Sequence, residues 1–221
     1  MNVLLKYRSE FHPVVDFNPS KDKLYHFDFT AANNELTDAL VADTKRFSTY
    51  INSKLENGKY KYGIGGYAEQ RVLYKRSEHF SGEEPRNIHL GIDIWGDAGT
   101  KVYAPLGGMV HSTGYNNNFG DYGATIILQH QLDTVVFHTL YGHVSLKDIE
   151  LLEEGNYISR GQQFARFGEP HENGDWPPHL HFQIIKYMEL KEGDYPGVCT
   201  KSEREKYLAN CPDPNLILGM L

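Results

Sequence analysis

The sequence predicts a mainly β chain with a minor helical part: an antiparallel, sandwich-like sheet core carrying a helical extension on its N-terminal side. From about residue 88 the chain breaks into short apolar runs separated by glycine, at the spacing of hairpins and meanders. One stretch, 34–57, shows sustained helical periodicity instead. The 15 Tyr and 11 Phe suit half-buried sheet surfaces, and a hydrophobic content of 40% is enough for a real core.

Residues 1–32 read as irregular and aromatic, punctuated by Pro13 and Pro19. In 34–57, Leu36, Leu40, Phe47, Ile51 and Leu55 recur at helical spacing and stop before Gly58, which predicts one amphipathic helix capped by Asn33 or Asn34. "GIGGYAEQRVLY" (63–74) superficially suggests a phosphate loop, but it lacks the Lys-Ser/Thr pair and opens no helix. The β runs follow: "IHLGIDIW", "KVYAP", "GMVHSTGY", "GATIILQH", "TVVFHTLYGH", "QQFARFG" and "HLHFQIIK". The tail is loop-rich, and its closing "PDPNLILGML" is expected to dock on the sheet. The division is therefore an extension over 1–85, a β domain over 86–190 and a docking tail over 191–221.

Charge and composition exclude several classes of function. A net charge of −7 without a basic cluster argues against nucleic acid as a partner. No apolar run is long enough to span a bilayer, so no membrane role is expected. "MNVLLKYRSE" lacks the basic start and uninterrupted apolar core of a secretory signal, which makes the expected compartment cytoplasmic. Cys199 and Cys211 form no Cys-x-x-Cys pair, so they read as free thiols rather than zinc ligands.

Chemistry gathers on two runs. With 11 His in 221 residues, a His-x-His pair arises by chance about 0.5 times, so His179-Leu-His181 alone decides nothing. Its setting does more. On a strand His179 and His181 share one face, Leu180 and Phe182 the other, and Pro177-Pro178 fixes where pairing can begin. "NIHLGIDIW" repeats the division: His89, Gly91 and Asp93 on one face, Leu90, Ile92 and Ile94 on the other. His143 ends a further run where strand gives way to loop. Two imidazoles and a carboxylate with a fourth position for water match a catalytic zinc site, which His89, Asp93 and one of His179 and His181 could supply. Such a metal lowers the pKa of its bound water to about 7, and the remaining histidines could take the proton or stabilise an oxyanion.

His89-x-x-x-Asp93, then "YGH" ending at His143, then His179-Leu-His181 resembles the lysostaphin-type (LytM-type) zinc metalloendopeptidases. "GTKVYAPLGGMV" and "HLHFQ" share the resemblance, which spans about residues 86–187. It implies one zinc ion on His89, Asp93 and His181, with His143 and His179 as the catalytic, non-ligand histidines. The activity implied is hydrolysis of an amide bond in cell-wall peptides, in an open groove on a mostly antiparallel scaffold. The expected partner is a peptide or peptidoglycan-fragment substrate. "GGYAEQRVLY", "WPPHLHFQI" and "PDPNLIL" resemble more narrowly a branch also found fused to kinase-like and aminotransferase segments.

The chain departs from that pattern at "ENGDWPP", where relatives usually have a Ser/Thr-rich turn, and in having two candidates, Tyr115 and Tyr122, for a groove tyrosine. Loops 114–123 and 168–178 are expected to form opposite groove walls. Arg71 reads either as a packing residue or as a grip on a substrate carboxylate. His111, His130 and His138 read as structural, with His138 on the face opposite His143; His12, His26, His79 and His171 need no role. The leading function is a zinc-dependent peptidase or amidase. The alternative is a peptide- or metabolite-binding domain that retains the metal site without cleaving, though such a domain needs neither His143 nor His179. A purely structural zinc site fails on ligand type, since closed sites use cysteine heavily.

Overall fold

Glycine breaks and apolar alternation translate into short strands, and in the computed structural model, which describes residues 2–221, these assemble mainly into one sheet. The strands are β1 (Leu24–Phe27), β2 (Tyr62–Gly65), β3 (Ile88–His89), β4 (Ile92–Trp95), β5 (Lys101–Tyr103), β6 (Gly108–Asn116), β7 (Gly123–Leu132), β8 (Val135–Val144), β9 (Tyr157–Ile158), β10 (Gln163–Arg166), β11 (His179–Ile185) and β12 (Val198–Cys199). The helices are α1 (Asn2–Lys6), α2 (Asp38–Ala42), α3 (Thr44–Gly58), α4 (Leu146–Ile149), α5 (Arg204–Asn210) and α6 (Asn215–Leu218). The large sheet has eight strands in the order β1-β2-β4-β11-β8-β7-β6-β9. Only β1 and β2 pair in parallel; the other neighbours are antiparallel.

Each face of the sheet has its own core, which gives the molecule its sandwich-like layering. On one face Ile94, Ile126, Leu128, Phe137, Tyr141, Leu180, Phe182 and Ile184 pack against Val102 and Phe164 of the β5–β10 ribbon, with Ile217 of the tail joining them. On the other face Ile127, Leu140 and Ile185 meet Ile88, Tyr195, Cys199 and Cys211, around the β3–β12 ribbon. Both cysteines are free and buried. Among the described residues, no helix is long and apolar enough to cross a membrane.

The helical stretch differs from its expected outline. It is two helices, because Asp43 takes an extended backbone and its side chain accepts from Arg46 N at 3.0 Å, capping α3. Thr37 caps α2 in the same way, accepting from Leu40 N at 3.2 Å, while Asn33 lies in the preceding turn. The stripe of α3 buries Phe47, Ile51 and Leu55 against Phe27, Phe29 and Trp95. Residues 1–32 are not wholly irregular, since they hold α1 and β1. Trp95 belongs both to this aromatic cluster and to β4, so the N-terminal segment packs directly behind the central strands.

Candidate metal centre

β4, β11 and β8 lie side by side in mid-sheet and carry the residues singled out in the sequence. The pairing sets His181 opposite Asp93 on one side and Gly142 on the other, and His179 opposite Trp95. His89 and Asp93 do not share one continuous strand, because the chain bends at Gly91 between β3 and β4. The bend needs glycine: a Cβ there would stand 2.5 Å from the His181 ring and 2.8 Å from the Phe182 carbonyl.

Three atoms converge. His89 Nε2 lies 2.9 Å from His181 Nδ1 and 3.2 Å from Asp93 Oδ1, and His181 Nδ1 lies 3.1 Å from the same oxygen. The outer hydrogen bonds fix what these atoms carry. His89 Nδ1–H donates to the Gly66 carbonyl at 3.1 Å, which leaves Nε2 with a lone pair. His181 Nε2–H donates to Gln183 Oε1 at 2.9 Å, which leaves its Nδ1 bare. Gln183 cannot turn its amide round, since its Nε2 donates to Pro196 O at 3.1 Å and Cys211 Sγ at 3.3 Å. Two imidazole lone pairs and a carboxylate oxygen therefore face one another about 3 Å apart, buried, with no proton between them. That arrangement is repulsive unless a cation sits among them. Four-coordinate zinc with ligand distances of 2.0–2.1 Å holds its ligands about 3.3 Å apart, so the donor set fits the ion in type and spacing.

The remaining Asp93 oxygen, Oδ2, accepts from Arg71 Nη1, while Arg71 Nε donates to Glu69 Oε2 at 2.7 Å. Arg71 is 2% exposed. Of the two readings of Arg71 the structural one holds: this guanidinium is committed to Glu69 and Asp93 and holds the latter to one free oxygen. Burial works to raise the Asp93 carboxyl, but the Arg71 charge opposes it, and the group is held well below the usual carboxylate range. Burial, reinforced by Arg71, pushes His89 down to about 3, so its imidazole stays neutral. Asp93 and His89 are thereby kept in the protonation states that bind metal.

His179 and His143 stand beside the triangle. Their ring centroids are 4.1 Å apart, and His179 stacks on Trp95 at 3.9 Å. His179 Nδ1–H donates to Pro177 O and His143 Nδ1–H to Asn173 O, both at 2.8 Å, so each presents an unprotonated Nε2. Burial lowers His179 to about 4 and holds His143 well below its ordinary value. His143 has left-handed backbone (φ 63) beside a register shift between β7 and β8, which breaks the strand's alternation. It therefore faces the same side as His138, whose partner Ile185 shares the His181 face. The expected opposition of His138 and His143 is corrected accordingly.

Tyr122, not Tyr115, is the tyrosine at the site. Its ring lies 5.1 Å from His181 and 5.5 Å from His143, whereas Tyr115 is an exposed residue outside the pocket. Its oxygen is 3.4 Å from His181 Nε2, whose proton goes to Gln183, so the phenol proton is not spent there. Burial holds the phenol well above its ordinary pKa, and it stays a donor.

The loops around the site overturn another expectation. Gly120 N donates to Gly174 O at 2.8 Å and Ala124 N to Glu172 O at 3.1 Å, so the two loops lie against each other as one wall. Tyr195 to Val198 line the pocket elsewhere, and Leu73, Tyr74 and Phe80 contribute from the segment before β3. Together these segments bound a pocket with a cavity volume of ≈ 90 Å³. Sequence reasoning missed Gln183, although the alternation of 179, 181 and 183 on one face pointed to it. It also missed Trp95, which the alternation of "NIHLGIDIW" places on the face of Asp93, and Trp176, for which it had no signal.

Residues 87–193 match Peptidase family M23. No curated protein sequence matches the chain. Among solved structures, a zinc containing peptidase from Vibrio cholerae is similar at 27% identity and a TM-score of 0.36, over 44% of this chain and 27% of that one. The catalytic domain of the antimicrobial peptidase lysostaphin from Staphylococcus simulans is similar at 21% identity and a TM-score of 0.43, over 72% and 97% of the respective chains. A prophage-encoded M23 protein from Enterococcus faecalis is similar at 19% identity and a TM-score of 0.38, over 50% and 80%. The family match and the buried His89–Asp93–His181 group together support a metallopeptidase.

Proposed function

We propose that the chain is a zinc-dependent peptidase or amidase that hydrolyses a peptide amide bond, with peptidoglycan-type peptides among its substrates. The observation that carries this reading is the triangle of His89 Nε2, Asp93 Oδ1 and His181 Nδ1, three lone-pair atoms about 3 Å apart with no proton to share. Zinc held there supplies Lewis acidity toward an amide carbonyl and lowers the pKa of a coordinated water to about 7.

The chain's own groups divide the rest of the work. Gly66 and Gln183 fix the tautomers of the two ligating histidines, and Arg71 presents Asp93 by a single oxygen. His179 and His143, each pinned through Nδ1 to a carbonyl, offer Nε2 as proton acceptors. One of them takes the proton of the attacking water as its oxygen bonds to the amide carbon. The same proton is then given to the nitrogen as the C–N bond breaks, leaving an amine and a carboxylic acid, which loses its own proton to solvent. Neither neutral imidazole can donate through Nε2 at the outset, so the Tyr122 phenol is the donor suited to the developing oxyanion.

The test is hydrolysis of a panel of cell-wall peptides and simple acyl-amides by the zinc-loaded protein. His143→Ala and His179→Ala are expected to retain zinc and lose roughly two or more decades of rate. Loss of zinc from the His179 variant would reverse the roles assigned within His179-Leu-His181. Full activity in both variants would leave the mechanism without a base.

A further inference from the structure

The segment between β2 and β3 is fastened at both ends across the pocket. On one side, the Arg76 guanidinium lies between the rings of Phe119 and Trp176, 4.6 and 4.5 Å from their centroids. Its Nη2 donates to Thr44 Oγ1 at 2.8 Å and Asp175 O at 3.1 Å. Ser77 Oγ donates to Phe119 O at 2.6 Å, and Gly120 approaches so closely that a Cβ there would stand 2.8 Å from Ser77. At the other end Glu84 accepts from Ser202 N at 2.9 Å and Oγ at 2.5 Å, and Asn87 N donates to Cys199 O at 3.1 Å. The strap thus ties the wall at 119–121 and 175–176 to the wall at 199–202. Tyr74 and Phe80, which it carries, line the pocket.

A polymer cleaved in mid-chain must enter and leave its site in both directions. Here the strap, through Tyr74 and Phe80, walls one side of the pocket. The five charged or imidazole groups of the site are each between 0% and 6% exposed. We infer, on the metallopeptidase reading above, that the substrate is a short acyl or peptide chain whose end lies inside the pocket, and that a bond within a long chain does not reach the site.

Binding to the cobalt-loaded full chain tests this without relying on turnover. The probes are N-acetylglycine hydroxamate, whose chelating group is at a chain end, and an end-blocked oligoglycine with a phosphinate at its centre, both followed by the visible spectrum of cobalt. The short probe is expected to shift the spectrum of the wild type, and the long probe to bind at least tenfold more weakly. Arg76→Ala and Ser77→Ala, outside the pocket lining, are expected to tighten the long probe at least tenfold and leave the short one within about twofold. Two variants are used so that misfolding of one still leaves a reading. Equal binding of both probes to the wild type overturns the inference and leaves the metal reading standing. Failure to take up cobalt, or to respond to either probe, overturns both.

Discussion

His143 shows how much one residue's backbone decides. Counting along β8 places it on the face opposite His138, and only its left-handed φ of 63 at a register shift turns it toward His179. A non-glycine residue in that conformation costs of order 1 kcal/mol or more, held by the surrounding structure. No pattern of apolar and polar residues encodes it. The shared face of His179 and His181 was legible by contrast, because β11 alternates regularly, and the same alternation carries Gln183, which went unread. Gly91 and Arg71 lie between these cases: the sequence marks each as unusual, but their partners come from distant strands. Gly91→Ala would push a Cβ against the His181 ring and the immovable Phe182 carbonyl. We expect a fold with unchanged circular dichroism and at least tenfold weaker zinc binding, the usual scale for disturbing a ligand's support. Arg71→Ala strands Asp93 and Glu69 without their cation, so the metal-free protein is expected to lose roughly 3–5 kcal/mol in denaturant unfolding. A loss below 1 kcal/mol would mean that the ion pair does not hold the site.

Elements with regular periodicity were legible, while their ends and mutual placement were not. The stripe of Phe47, Ile51 and Leu55 identifies α3, yet its start depends on which oxygen caps it, and Asp43 prevails over the asparagines upstream. Asp43→Ala is expected to cost about 1 kcal/mol of stability, measured by urea unfolding, with zinc content unchanged. A loss of zinc in that variant would show the helix and the site to be coupled more tightly than their packing indicates. The connections read at 114–123 and 168–178 are glycine-, asparagine- and proline-rich and lie near the ligands, although the first begins only after Asn116, where β6 ends. That they share one wall follows from hydrogen bonds between them, which composition does not reveal.

At the scale of the whole molecule, the sheet joins a site made of titratable groups to cores that tolerate none in charged form. His130 is 2% exposed, between Gly107 O and Thr139 Oγ1, and burial lowers it to about 4 despite the Gly107 hydrogen bond. Burial, with His111 nearby, lowers His138 to about 4 as well. The unfolded chain takes up these protons near pH 6.5 and the folded one only near 4, so stability is full above 6.5 and falls as pH drops through that window. Each proton contributes a slope of about 1.4 kcal/mol per pH unit there. The metal-free His130→Gln variant should therefore show a shallower fall between pH 6.5 and 4, and an unchanged slope would mean that His130 is already charged in the fold.

The site itself is the most direct point of test. If three bare donor atoms face one another because a metal belongs among them, the purified chain binds close to one zinc ion, measured by elemental analysis after dialysis. The same measurement on a folded His89→Ala, His181→Ala double variant should return almost none. Full occupancy in that variant, or none in the wild type supplied with zinc, would contradict the account.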